Sequence, residues 1–310
     1  MQDDWGVRSP RWSGIRSEIL DVRGTRVHTL RAGDDGGGVP QLLVHGLGGA
    51  ATNWLEVMAG LAAAGPVVAV DLPGFGRTQP PRPGASRVSA NARFLHAVLD
   101  ELRWTRAVVH GNSMGGLLTT LLAARETERV AGVVLVSPAL PAPRKELPKL
   151  SRKTMGRFAP FFVPGMGTAV MRRAWATLTP EQLWQDTVDF VHGDPSRISP
   201  EIAQVGIENL AYGREVDWRL PGFVAAAESV VAALMSGRAL RDAIDVILAP
   251  ALVIWGDRDQ LVGRPVIDQL RQRRPDWRIE ILPGVGHVAQ IEVPDRYLEL
   301  VGSWRGAMVA

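Results

Sequence analysis

No cysteine occurs in the 310-residue chain. That excludes a disulfide framework, a thiolate metal site and a cysteine nucleophile, while leaving the compartment open. Lysine is nearly absent as well: Lys145, Lys149 and Lys153 stand alone, and the remaining basic side chains are arginines. Few groups therefore titrate between neutrality and about pH 10. A formal net charge of only +3 is enough to give a pI near 9.8. The high pI is thus no sign of a nucleic-acid partner. The densest basic stretches, 143–153 and 271–274, read as solvated helix faces rather than an anionic-surface contact. Long hydrophobic runs are missing too. The longest apolar stretch, 158–171, is interrupted by Pro160 and Pro164 and is too short to span a bilayer. The opening MQDDWGVRSPRW carries two aspartates and no apolar h-region, so no secretory signal is expected. The expectation is a cytoplasmic protein without stable membrane insertion, with oligomerisation left open.

What is present is a rhythm of short apolar runs. QLLVHG (41–46), VVAVDLPG (67–74), AVVHGNS (107–113), VAGVVLVSP (130–138) and ALVIWGD (251–257) each end in Gly, Asp, Ser or Pro. Continuous apolar runs of this length suit strands buried on both faces of a mostly parallel, twisted sheet. Helical patterns over about 53–64, 87–102 and 114–126 alternate with them. Residues 22–33 read as an alternating antiparallel hairpin arm, 277–284 as a late strand and 294–306 as a closing helix. The fold class expected is α/β, with helices flanking the sheet. From about 140 to 240 the strand signal lapses. Pro, Trp and Phe accumulate there, and helical segments at 179–193 and 198–213 carry Pro180 and Pro200 in their first turns. The domains expected are a core of 1–139 and 241–310 and a helical cap of 140–240, inserted after the sixth strand. The ten tryptophans could cover a subunit contact or lie buried in the cap.

The chemistry concentrates at strand ends. Gly111-Asn112-Ser113-Met114-Gly115 matches G-x-S-x-G between a strand and a helix. A serine on so sharp a turn is strained, and its neighbours must lack a Cβ for strand and helix to pass closely. Ser113 would sit at a helix N-terminus, where free N–H groups favour a developing anion. HGLGG (45–49) follows another strand, and the backbone N–H groups of Leu47 and Met114 would make a two-donor oxyanion hole. WGDRD (255–259) places Asp257 and Asp259 on one loop, and GVGH (284–287) places His287 on another, giving the chain order Ser, Asp, His. Asp71 reads as a turn-former, and His45 and His110 as backbone buttresses. His28, His96 and His192 have no motif context. The histidines lack metal-ligand spacing, and no metal or organic cofactor is expected.

The stretches LLVHGLGG, DLPGFGRT, HGNSMGGLL, VIWGDRDQLV and LPGVGHVAQIEVPDRY together resemble the α/β-hydrolase fold family, in its cap-bearing serine hydrolases. The resemblance covers about 22–306 apart from the cap. It implies Ser113 as nucleophile, Asp259 as the acid (the family spacing G-x-x-D counted from Gly256) and His287 as the base, leaving Asp257 as a loop hydrogen-bonding residue. His287 would take the proton of Ser113 as its oxygen attacks a carbonyl carbon, and water would then cleave the acyl-enzyme. A serine rather than an aspartate at the elbow argues against the dehalogenases and epoxide hydrolases this family also contains. The substrate expected first is a small-molecule carboxylic ester or related acyl compound. The alternative is carbon–carbon hydrolysis of ring-fission products, whose hydrolases resemble this chain in Asn112 and Gln290 but usually carry tryptophan where Val288 stands. Lactone, thioester and haloperoxidase-like chemistry share the triad, and a non-catalytic ligand-binding homologue is the reading from another class. In the cap, Phe, Met and Val of 158–175 and 220–235 could line an acyl pocket or form the cap's own core. Arg172 and Arg173 could meet a substrate carboxylate or form surface salt bridges.

Overall fold

Strands Gln41–Val44 (β3), Val67–Val70 (β4), Ala107–Asn112 (β5), Val130–Val136 (β6) and Ala251–Gly256 (β7) are buried at every residue. In the computed structural model, which describes residues 4–34, 37–143, 152–163 and 165–309, these runs form the centre of one sheet. Arg16–Val22 (β1) and Thr25–Ala32 (β2) lie at one edge and Arg278–Leu282 (β8) at the other, in the order β1-β2-β4-β3-β5-β6-β7-β8. β1–β2 and β2–β4 pair antiparallel, and all other pairs are parallel. Alternate residues feed two cores. Leu42, Val44, Val133, Leu135 and Val253 enter one; Leu43, Val134, Val136, Leu252 and Ile254 enter the other. This two-sided burial explains why the strands lack polar alternation.

Residues 22–33 supply the expected antiparallel hairpin arm: Arg23 and Gly24 form the turn, at φ 51° and 82°, and β2 returns along β1. Two consecutive positive φ values are the signature of the tight hairpin turn that matches strand twist.

Helices Leu55–Ala62 (α1), Val88–Glu101 (α2) and Met114–Arg125 (α3) occupy the expected crossovers. Between β6 and β7 come Arg152–Phe158 (α4), Met166–Thr177 (α5), Pro180–Val191 (α6), Pro200–Glu215 (α7), Arg219–Ser236 (α8) and Arg238–Val246 (α9), with no strand among the described residues. Thr179 and Ser199 cap α6 and α7 through their hydroxyls, with Pro180 and Pro200 in the first turns. Leu240 and Ile244 of α9 join the core beside Leu117 and Leu118 of α3, so the sheet-flanking layer resumes with this helix. Arg264–Arg273 (α10), Ala289–Glu292 (α11) and Pro294–Val309 (α12) complete the chain. α8 is long and apolar enough to cross a membrane by length and composition, but Val224, Ala226, Ala227 and Val230 are buried against the rest of the protein.

Seven tryptophans, at 5, 12, 54, 104, 255, 277 and 304, are buried in the two cores, not in the cap. Of the basic stretches, 143–153 lies almost wholly outside the described residues. In 271–274, Arg273 pairs with Asp245 at 2.5 Å and Arg274 with Asp276 at 2.7 Å.

Candidate active site

β5 runs straight into α3, and the residue at the corner is Ser113, at φ 55° and ψ −115°. An L-residue at positive φ is strained, and persists only where its surroundings fix it. The Ser113 N–H donates to Val136 O at 3.0 Å, and its carbonyl accepts from Leu117 N and Ala139 N. The glycines make the corner possible. A Cβ on Gly111 would lie 2.4 Å from Gly115 O, and one on Gly115 would lie 2.1 Å from Val44 O. Strand, helix and the neighbouring β3 end therefore meet backbone to backbone.

The loop after β3 closes on this corner. A Cβ on Gly46 would stand 3.1 Å from that of Ser113, so the residue before Leu47 lies against the Ser113 side chain. Met114 begins α3, where N–H groups have no helical acceptor. Neither Leu47 nor Met114 donates its N–H to an acceptor among the described residues, as an anion-binding pair requires. His45 holds the loop from beneath. Its Nε2 accepts from Leu72 N at 3.1 Å and its Nδ1–H donates to Gly46 O at 2.7 Å. Burial pushes this imidazole down to about 4, so it stays neutral and serves as a strut. His110 is likewise pushed by burial to about 3, with Nδ1 2.6 Å from the Tyr297 hydroxyl. His45 matches the backbone-buttress role expected of it, whereas His110 meets a side chain, the Tyr297 hydroxyl, instead.

Asp71 does more than form a turn. Its buried carboxylate accepts from Ala51 N at 2.6 Å and Arg77 N at 2.8 Å, and lies 2.7 Å from His28 Nδ1. Burial alone would raise its pKa, but the adjoining His28 ring, through its field and hydrogen bond, and the Ala51 N–H hold it below the ordinary carboxylate range. Replacing Asp71 by asparagine should cost about 3–5 kcal/mol, as for other broken buried pairs. The pH dependence has a definite sign. A carboxyl depressed in the folded state contributes stability above its unfolded value, near pH 4, and loses it as pH falls through the folded value. Thermal melts from about pH 7 down to about pH 3 should therefore fall more steeply for the wild type than for Asp71→Asn.

Asp259 and His287 meet as expected. Asp259 Oδ2 is 2.9 Å from His287 Nδ1, and both side chains are buried. The other carboxylate oxygen accepts from Leu261 N and Val262 N at 2.8 and 3.0 Å, which fixes the acid's orientation. Asp257 instead accepts from Gly284 N at 2.7 Å, tying the two loops together. The elbow and the histidine loop are joined by Asn112, whose Nδ2 donates to His287 O at 3.0 Å. With Nδ1 committed to Asp259, Nε2 is the remaining ring nitrogen, and among the described residues no hydrogen bond joins it to Ser113 Oγ.

Apolar side chains of the helices between β6 and β7 cover Leu47. Phe161, Val224, Ala227 and Val231 form a cluster with Phe158, Met171, Leu220 and Phe223, packed on Leu47. A Cβ on Gly48 would lie 3.2 Å from the Phe223 ring. The apolar residues of 158–175 and 220–235 thus pack both on one another and on the loop carrying Leu47. Arg172 and Arg173 are exposed and have no ion pair among the described residues, so the surface salt bridges considered for them are not formed. Two residues without a sequence signal also reach the site. His192, at the end of α6, is pushed by burial, with His287 adding to the shift, down to about 4. Glu292 is buried behind the histidine loop. Among the described residues no cluster of histidine and carboxylate side chains is arranged to hold a metal ion.

Comparison with known proteins gives a consistent picture. The sequence profile of the Alpha/beta hydrolase family matches residues 41–300. A 2-hydroxy-6-oxononadienedioate/2-hydroxy-6-oxononatrienedioate hydrolase of Burkholderia vietnamiensis (strain G4 / LMG 22486) is 31% identical over 287 residues, covering 91% of this chain and 92% of the relative. Lipase 1 of Psychrobacter immobilis is 24% identical over 275 residues, covering 88% and 78%. Among solved structures, the 2-hydroxy-6-oxo-6-phenylhexa-2,4-dienoate hydrolase of Rhodococcus sp. strain RHA1 superposes with a TM-score of 0.73 at 22% identity, covering 94% of this chain and 98% of that one.

Proposed function

The chain belongs to the alpha/beta hydrolase family, and on that footing we propose that it is a serine hydrolase acting through Ser113, His287 and Asp259. What supports this reading is the Asp259–His287 pair at 2.9 Å, tied through Asn112 to the strained backbone of Ser113. His287 Nε2 removes the hydroxyl proton as Ser113 Oγ adds to a carbonyl carbon, and the oxyanion rests on the two N–H groups. His287 then delivers the proton to the leaving atom. Water, deprotonated by the same imidazole, frees the acid and restores the serine.

The bond cut is the second question. The sequence alone puts carboxylic esters first; the relatives favour a carbon–carbon bond beside a ketone, as in ring-fission dienoates. Asn112 and Gln290 support that order. The relative's printed substrate is a dioate, with carboxylates at both ends. Here apolar side chains pack over Leu47, which supports a substrate whose far end is aryl or alkyl. Ester hydrolysis remains the second reading, favoured by the same apolar wall and by Val288 after the histidine.

Three substrates separate these readings: a phenyl-ended ring-fission dienoate, the matching dioate and a series of p-nitrophenyl esters. Highest kcat/KM on the phenyl-ended dienoate is expected, and a clear preference for the esters reverses the ranking. Phe223→Ala should raise KM for the phenyl-ended compound roughly tenfold with a smaller change in kcat, since it removes an apolar contact remote from the reacting carbon.

A further inference from the structure

His287 is held by its backbone as well as its ring. Its N–H donates to Val191 O at 2.6 Å, and Val191 is the last residue of α6 in the cap. Its carbonyl accepts from Asn112 of the elbow. The general base therefore sits on a loop stitched to the cap on one side and to the nucleophile's strand on the other.

One carboxylate organises this seam. Glu292, with a side chain 0% exposed, accepts from Gly286 N at 2.9 Å and from Gly193 N and Asp194 N at 3.0 Å each. Arg197 Nη1 adds a fourth contact at 3.3 Å and also donates to Gly284 O at 3.2 Å. The backbones touch where these bonds converge: a Cβ on Gly286 would lie 2.4 Å from both Gly193 N and Val191 O. A buried carboxylate is costly unless fully hydrogen-bonded, and this one takes its partners from the residue preceding His287 and from the cap connection that accepts the His287 N–H.

We propose that Glu292 is a positioning residue for His287, making the α6–α7 connection of the cap part of the frame that aims the imidazole at Ser113. The inference rests on the triad reading above. Loss of the carboxylate leaves three backbone N–H groups to share poorer acceptors, and the histidine loop drifts. A displacement near 1 Å at the base costs on the order of 10²-fold in rate.

The test is the second-order rate of labelling by a fluorophosphonate, read from about pH 5 to about pH 9, where an imidazole governs the profile. In Glu292→Gln one acceptor becomes an amide donor facing N–H groups. Labelling should slow by about 10- to 100-fold, with a displaced pH midpoint. Glu292→Asp, which keeps the charge, should recover part of the rate. Folded Glu292→Gln that labels with the wild-type rate and profile overturns the proposal. So does equal slowing of both variants at an unchanged midpoint, the mark of a merely structural role. Should Glu292→Gln not fold, Arg197→Met at the exposed end of the network decides. Slowing of a few-fold, roughly 2 to 5, with a moved midpoint supports the proposal, and wild-type behaviour overturns it. Wild-type protein that does not label at Ser113 removes the triad reading itself, and the proposal with it.

Discussion

Ser113→Ala should reduce turnover by on the order of 10⁵-fold or more while leaving the melting temperature almost unchanged. The two halves of that result have separate causes. Alanine retains the Cβ, so the backbone at φ 55° remains as strained as before, and the Val136, Leu117 and Ala139 hydrogen bonds involve only main-chain atoms of residue 113. What disappears is the one oxygen able to form the acyl-enzyme. Ser113→Gly should be equally inactive but more stable by about 1 kcal/mol, because glycine adopts positive φ without a Cβ clash. Loss of activity with unchanged or increased stability distinguishes a strained nucleophile from a structural serine.

Asp259→Asn should lower turnover by about 10³- to 10⁴-fold near neutral pH. The geometry explains the size of the effect. The carboxylate oxygen Oδ1 is occupied by the N–H groups of Leu261 and Val262. An asparagine must keep its oxygen there, which turns its NH₂ towards His287 Nδ1. That nitrogen then accepts rather than donates, the proton moves to Nε2, and the imidazole can no longer take the Ser113 proton. Asp257→Asn is the control. Its acceptor faces Gly284 N, so its effect should be about tenfold or less.

The sequence made the site legible because its demands are local. Gly111 and Gly115 must lack side chains for β5 and α3 to pass, and that requirement leaves a fixed pattern around Ser113. The sheet was legible for a related reason, since residues buried on both faces leave unbroken apolar runs. Other features depend on contacts between distant segments. Glu292 in AQIEV reads as an ordinary helical carboxylate, and only the fold shows it against Gly193, Asp194 and Gly286. His192 has no motif and gains its surroundings from the histidine loop. Arg172 and Arg173 lie on α5, whose sequence gives no means of telling its outer from its inner face; the fold places both outside. The tryptophans misled for the opposite reason: a large apolar ring is as much at home beneath a sheet as under a cap.

Incubating the protein with a fluorophosphonate and mapping the adduct by mass spectrometry tests the central claim most directly. Cleavage after Arg106 and Arg125 yields the peptide 107–125, in which residue 113 is the single serine. The adduct is predicted on that peptide, formed in the wild type and lost on mutation of either Ser113 or His287. An adduct confined to any other peptide, or labelling unaffected by removal of the imidazole at 287, contradicts the account.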